Sequence, residues 1–392
     1  MRSQMISLLW MGVLTTAQSI PTTTRAGSRP ARLSSTQPCN NYVELCNRKY
    51  SNITEVAAHN SPFTRPRNAA RNQDYAVTRQ LNDGIRVLQG QAHMVNGTLY
   101  YCHTSCHLLN EGTVEDYLRQ VTKWVAAHPF DVITIIFGNY HWAQKDSQGN
   151  AIVTSVDFDI PIRSSGLFDY IYQPPKTAMR VDDWPTLGHM ILSQKRVVTL
   201  IDYNYDTARV PYLLWQFDNV WETPFSPTNN SFPCTMDRPK GLTTDQAKNM
   251  MYLANHNLNA QIPLGATTLL VPNTVAINQT NAVTGEGSLG LTVRQCTDQW
   301  NRAPNFLLVD FYNQGPTNGS VFEAAARANG LAYTTRAYSG TGNNTARASA
   351  AASASATASA ATASTSTSMT MRQASAPKLG IAAAVLVVMM VV

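Results

Sequence analysis

Unbroken apolar runs constrain this chain more than any other feature. VITIIF (Val132 to Phe137), the VVTLI of RVVTLIDY and the FLLV of NFLLVDFY contain no polar alternation. A strand of that kind is buried on both faces, as in a parallel sheet covered by helices. Helical segments separate the runs. Thr113 caps a predicted helix from Val114 to Ala127, whose Val121, Trp124 and Val125 form an apolar stripe, and His128-Pro129 stops it. Further helices are expected over 293–302 and 322–329, with Gly330 as a stop. Strand-then-helix punctuation predicts a parallel α/β fold. With about eight strand candidates, a closed TIM-type (β/α)8 barrel is favoured over an open doubly wound sheet. The open sheet is the alternative, although no GxGxxG or GxxxxGK[ST] loop follows any strand.

The chemistry-bearing residues gather between Ile53 and His107. Val56-Ala57-Ala58 leads to His59 and Asn60, Ile85 to Leu88 leads to Gln89, Gln91 and His93, and Leu99-Tyr100-Tyr101 leads to His103. Residues just past the carboxyl ends of parallel strands share one rim. Period-2 alternation puts Ala57 with His59, and Val87 with Gln89 and Gln91. Two histidines and two amides are thus expected at one pocket. Asp202 and Asp310 end later strands, Asp245 to Tyr252 is helical in tone, and YLANHNLN brings Asn255 and His256 toward the same rim. Residues 260–290, rich in Pro, Asn and Gly, read as an extended loop.

The two ends of the chain differ from its middle. Residues 1–19 read as a signal peptide: Arg2, an apolar core from Met5 to Leu14, and the small-x-small site Ala17-Gln18-Ser19. Residues 20–38 read as a disordered leader, 39–338 as the barrel, and 339–376 as an Ala/Ser/Thr-rich, O-glycosylated stalk. Residues 377–392 end in LGIAAAVLVVMMVV, which fits a glycolipid (GPI) attachment signal better than a spanning helix. These features predict passage through the secretory pathway to the outer leaflet of the plasma membrane or the cell wall.

Secretion permits disulfides, and the six cysteines form an even set. Sequence proximity favours Cys39–Cys46, Cys102–Cys106 and Cys234–Cys296, one of 15 connectivities. A metal site at Cys102, His103, Cys106 and His107 is the rival reading of CHTSCH. Sequons begin at Asn52, Asn96, Asn229, Asn278, Asn318 and Asn343. The net charge of +6 is spread along the chain without a Lys/Arg run, so no nucleic-acid partner is expected. A monomer is expected.

Taken as an ordered set, AAHNS, GIRVLQGQAH, YCHTSCH, VITIIFGNY, RVVTLIDY, YLANHNLN and FLLVDFY resemble the X-domain of phosphatidylinositol-specific phospholipase C. The surface-protein branch of that phosphodiesterase superfamily is the closer likeness, over roughly Asn40 to Thr335. The resemblance implies a TIM-type barrel that cleaves phosphodiesters in phospholipids. It implies His59 as general base and His103 as general acid, with Asn60, Gln89, Gln91, Asp202 and Asp310 around the substrate.

The chain departs from that family where a cation is needed. A developing phosphate charge calls for an arginine or a calcium ion, and the corresponding positions here are the neutral Gln89 and Gln91. One Asn and two Gln make a poor Ca²⁺ site, which relies on carboxylates, so no cofactor is expected. Arg86 has the opposite parity and points to the other face. The loop SPFTRPRNAARNQDY offers Arg65, Arg67 and Arg71 instead. Two readings follow: a metal-independent phosphodiesterase, or a barrel without turnover that serves as a surface binding or wall-associated protein.

Overall fold

The computed structural model describes residues 36–264 and 267–334. The signal peptide, most of the leader, the stalk, the carboxyl-terminal tail and Asn343 lie outside the described residues. The described strands are β1 (Glu55–Ala58), β2 (Val87–Val95), β3 (Thr98–Cys102), β4 (Asn110–Thr113), β5 (Ile133–Asn139) and β6 (Val197–Ile201). They continue with β7 (Leu213–Trp215), β8 (Val220–Glu222), β9 (Met251–Asn255), β10 (Asn259–Leu264), β11 (Thr267–Pro272) and β12 (Phe306–Val309). The helices are α1 (Val77–Asp83), α2 (Val114–Ala127), α3 (Ser155–Ser164), α4 (Leu187–Leu192), α5 (Gln216–Asn219), α6 (Thr244–Lys248), α7 (Ile277–Thr280), α8 (Leu289–Trp300) and α9 (Ser320–Ala328).

Eight of the strands run parallel in the order β7-β6-β5-β2-β1-β12-β9-β8. Read around the circle this is chain order, the signature of a (β/α)8 barrel. The ladder is open at one seam, between β7 and β8. Only the four residues of α5 join these strands, and a laddered parallel pair needs a crossover of a dozen or more.

Alternation along the strands separates two apolar layers. Ala57, Val87, Ile136, Leu200, Val220, Leu253 and Leu308 pack together inside the barrel. Val56, Leu88, Ile135, Val197 and Leu307 pack outward against Leu118 and Val121 of α2 and Val321 of α9. A third cluster, with Trp221, Tyr252 and Trp300, encloses the Cys234–Cys296 disulfide. The other cysteines pair as Cys39–Cys46 and Cys102–Cys106. The metal reading of CHTSCH is thereby overturned, since both thiols are consumed.

Thr113 caps α2 as expected, its hydroxyl accepting from the Asp116 N–H. Arg86 is buried away from the lumen against Asp131, 2.7 Å from it, and over the Trp124 ring. Three segments differ from expectation. Strand β3 is not a barrel strand: it folds back antiparallel on the far end of β2 and pairs with β4. Of Asp245 to Tyr252, helical in tone, only the part within α6 is helix, and Met251 opens the parallel strand β9, because its inward Met251 and Leu253 complete the lumen packing. Residues 260–290 are not an extended loop but contain the hairpin β10–β11, the helix α7 and the start of α8.

Candidate active site

Inward alternation carries one step past each strand, and that step is where the polar residues stand. Ala57 points into the lumen, so His59 follows it there; Leu308 likewise brings Asp310, Leu200 brings Asp202, and Val220 brings Glu222. Strands β1 and β12 are neighbours, pairing Ala58 with Val309. His59 and Asp310 therefore meet across the ladder, with Nδ1 of His59 2.8 Å from Oδ1 of Asp310. A carboxylate only accepts, so Nδ1 carries the proton and Nε2 of the neutral ring is left with its lone pair.

Two amides from the loop after β1 hold this pair. Asn72 Nδ2 donates to Asp310 Oδ1 at 2.8 Å, and Gln73 Nε2 donates to the carbonyls of His59 and Val309. The sequence pointed to this loop for its arginines, and no periodicity marked Asn72 or Gln73.

His103 reaches the rim by a different route. It follows β3, where the Cys102–Cys106 bond closes a tight turn with the two Cα atoms 4.7 Å apart. Phe63 stacks on the imidazole at 4.8 Å between ring centroids, and Nδ1 donates to the Ala70 carbonyl. Its Nε2 is therefore also an acceptor in the neutral ring. Burial pushes the His103 pKa down to about 4, the Ala70 bond partly opposing.

Asn60 links the two histidines. Its backbone has a φ of 48°, a left-handed value that asparagine tolerates. Its Nδ2 lies 3.2 Å from Nε2 of His59 and 3.4 Å from Nε2 of His103. The amide thus faces both lone pairs at once. Its backbone N–H donates to Gln89 Oε1 at 2.8 Å, which fixes Gln89 as a support beneath the turn.

Asp202 and Gln91 approach each other across Gly138. A side chain at Gly138 would stand 3.3 Å from the Gln91 backbone and 3.7 Å from Asp202 Oδ2, so glycine permits this close approach. Asp202 Oδ1 accepts from the N–H groups of Asn139 and Tyr203, both at 2.8 Å. Burial raises its pKa to about 7 against those bonds. Beyond it, Glu222 pairs with Arg238 at 2.5 Å and accepts from Gln216 and Asn255. Neither Glu222 nor Arg238 was singled out from the sequence. The short VWE run and a loop arginine gave no signal without the strand order.

Other candidates stand apart from the imidazole pair. Arg65 turns to Glu111, 3.4 Å away, and to the Asn110 carbonyl. Arg71 pairs with Asp74 and lies over the Phe311 ring at 5.2 Å. Arg67 is exposed and has no hydrogen bond or ion pair among the described residues. His256 does not join the imidazole pair: it is buried, donates through Nε2 to the Thr280 carbonyl and packs against the Phe232 ring.

The donors do not fit calcium. Gln89 Oε1 is already taken by Asn60, Asn60 and Gln91 are neutral, and no group of three His, Cys, Asp or Glu converges for a metal among the described residues.

The phosphatidylinositol-specific phospholipase C from Listeria monocytogenes aligns at 13% identity over 74% of this chain and 96% of its own, with a TM-score of 0.45. An Arthroderma benhamiae protein named "Uncharacterized secreted protein" is 52% identical over 306 residues, covering 78% of this chain and 67% of the relative. From the same organism, "PI-PLC X domain-containing protein 1" is 39% identical over 298 residues, covering 75% of this chain and 90% of the relative. A family profile described as PI-PLC X 1 matches residues 45–326. With that match spanning both candidate histidines and most of the barrel, the chain belongs to the PI-PLC X domain family.

Proposed function

We propose that this chain is a secreted, surface-anchored phosphoric diester hydrolase acting on inositol phospholipid or a related phosphodiester. His59 is the general base and His103 the general acid. The observation that carries the reading is the His59–Asp310 contact at 2.8 Å, with the Nε2 atoms of His59 and His103 facing one amide between them. Secretion is supported by the name of the 52% identical relative and by the three disulfides. The sequon asparagines Asn52, Asn96, Asn229, Asn278 and Asn318 are exposed, as glycosylation requires.

In the reaction proposed, Nε2 of His59 takes the proton of an attacking hydroxyl, in inositol lipids the ring's own. The oxygen bonds to phosphorus, the bond to the leaving oxygen breaks, and protonated His103 gives its Nε2 proton to that oxygen. The organic product is a cyclic phosphate. Asp310 holds the His59 tautomer and balances the imidazolium that forms. A substrate phosphate beside His103 opposes the burial that lowers its pKa and so favours the acid form. Asp202 and Gln91 are the groups proposed to bind head-group hydroxyls. Of the loop arginines, Arg71 is the best candidate for the missing charge, since it lies over Phe311, the neighbour of Asp310.

A second reading is a barrel that binds phosphodiesters without turning them over. It is favoured by the neutral Gln91 and by the engagement of Arg65 and Arg71 with acidic partners. Turnover of inositol phospholipid and glycerophosphodiesters with and without EDTA decides between them. Turnover that survives EDTA supports the enzyme; binding with no turnover at any pH supports the silent barrel.

A further inference from the structure

Two aromatic motifs follow the carboxyl ends of neighbouring strands: DYNYD after β6 and WQF at the end of β7. Trp142, just beyond β5, joins them in one sector of the rim, because β5, β6 and β7 are adjacent in the sheet. The rings run on from one another. Between centroids, Trp142 lies 5.0 Å from Tyr203, Tyr203 5.5 Å from Phe217, Phe217 6.3 Å from Trp215, and Trp215 4.6 Å from Tyr205. Asn204 separates the two tyrosines at a left-handed φ of 57°, which asparagine tolerates, and they turn to different partners. The Trp215 indole N–H donates to the Asp202 carbonyl at 2.9 Å, so the ribbon starts at a residue proposed to bind head-group hydroxyls.

This ribbon is not core. Trp142 is 43% and Tyr205 42% exposed, although each has one neighbouring ring against it. Its polar edges are free as well. The Trp142 indole N–H, the Tyr205 hydroxyl and Oδ1 of Asn204 have no hydrogen-bond partner among the described residues, while Asn204 Nδ2 is held by the Trp142 and Val153 carbonyls. They supply a donor, a group that can do both, and an acceptor. The nearby charges are already paired: Arg238, over the Phe217 ring at 5.3 Å, with Glu222, and Arg209 with Asp206 at 2.6 Å.

We propose that Trp142, Tyr203, Tyr205 and Trp215 form a binding site for a neutral glycan, beside the imidazole pair. A sugar ring has an apolar C–H face that packs on the electron-rich face of an aromatic ring, and a border of hydroxyls that needs both donors and acceptors. An anionic ligand would need a cation that is not already paired. A quaternary ammonium would meet the Arg238 guanidinium on the same rings. A bilayer would have to bury the unpartnered Asn204 oxygen together with the Arg209–Asp206 pair. A glycan joined to the head group of a phosphodiester and a free oligosaccharide present the same chemistry. The inference does not rest on turnover, so its test reads binding alone.

The full-length protein is titrated with neutral hexasaccharides of glucose and of mannose, and with inositol monophosphate with and without a hexose on its ring. Calorimetry and intrinsic fluorescence measure binding. Saturable binding of at least one glycan-bearing probe is expected. The variant Trp142→Ala/Tyr205→Ala should weaken it at least about tenfold, and Trp142→Phe/Tyr205→Phe should keep more of it, since the rings remain. Binding of a free hexasaccharide supports the site with a polysaccharide as the source. A gain confined to the hexose-bearing inositol phosphate supports it with the head group as the source. Should the alanine variant fail to fold, the wild type provides the reading: the indole N–H resonance of Trp142 should shift on titration. That of Trp221, which donates to the Ala247 carbonyl, should not. No hexasaccharide binding together with equal affinity for the two inositol phosphates overturns the proposal, as does an unchanged affinity in the alanine variant or an unmoved Trp142 resonance. Vesicle binding that the alanine variant loses, without any glycan binding by wild type, also overturns it by assigning the ribbon to a bilayer. If no phosphodiester is turned over but glycan binding depends on Trp142 and Tyr205, the glycan site stands and the enzymatic reading falls.

Discussion

Nδ2 of Asn60 lies 3.4 Å from Nε2 of His103. Because His103 donates its other nitrogen to the Ala70 carbonyl, the contact is an amide N–H against an imidazole lone pair. The same amide group faces Nε2 of His59. Asn60 therefore stabilises the neutral state of His103 in the free protein.

Replacing the amide by a carboxylate reverses that preference. In Asn60→Asp the new oxygen has no proton to offer and faces two lone pairs, so it favours a proton on one of the rings. The His103 pKa should rise from about 4 in wild type. Imidazole resonances followed by NMR through a pH titration provide the check. An unchanged or lower His103 pKa in the variant would show that the amide does not govern the ring.

Asp310→Asn tests the other side of the dyad. Asparagine keeps the shape but can present its amide N–H groups to Nδ1 of His59, which moves the ring proton to Nε2 and removes the base. Activity should fall by about 10²- to 10⁴-fold with little change in KM. His59→Ala and His103→Ala should each be at least as damaging. Steady-state kinetics on a soluble phosphodiester measure the effect, and wild-type kcat in Asp310→Asn would remove the dyad from the mechanism.

Much of this site was legible because alternation is a local rule. Once Ala57, Leu200 and Leu308 are placed in the lumen, His59, Asp202 and Asp310 must follow at the rim. Gln89 and Gln91 obey the same rule from Val87. His103 was legible as a candidate, but the antiparallel return that delivers it was not. TLYYC has the apolar tone of a barrel strand, and only its pairing with the far end of β2 excludes it from the circle. The helical tone of 245–252 hid β9, since tertiary packing of Met251 and Leu253 overrides a weak local propensity. The supporting amides Asn72 and Gln73 had no signal at all: their role depends on a loop meeting the end of a strand some 240 residues away.

The Glu222–Arg238 pair should behave as a buried ion pair does. Glu222 is 4% exposed and its partner also packs over the Phe225 ring. Arg238→Ala leaves the carboxylate without its cation and should destabilise the fold by about 3–5 kcal/mol. Adding Glu222→Gln should recover a substantial part, because the buried charge is gone and Gln216 still donates to the amide oxygen. Urea unfolding of the single and double variants gives the comparison. Equal stability of wild type and Arg238→Ala would place the pair among interactions of no consequence.

Asp202 makes the fold itself sensitive to pH. Its folded pKa is raised to about 7, against about 3.9 for an unfolded chain. Between those values the folded state holds a proton that the unfolded state has released, so stability falls as pH rises, by at most about 1.4 kcal/mol per unit. Above the folded pKa the loss is complete. Asp202→Asn removes this dependence while keeping an oxygen to accept from the N–H groups of Asn139 and Tyr203. Buried histidines, lowered to about 4 at His93, His103 and His256, act with the opposite sign over much of the same range. They are present in both proteins and cancel in the difference. The stability of Asp202→Asn relative to wild type should therefore climb from pH 5 to pH 7 and then level off. Denaturant midpoints collected across that range measure it, and a difference that stays flat would mean that Asp202 ionises at an ordinary carboxylate pKa. If the same variant loses affinity for an inositol-containing ligand but not for inorganic phosphate, Asp202 acts on the head group and not on the phosphorus.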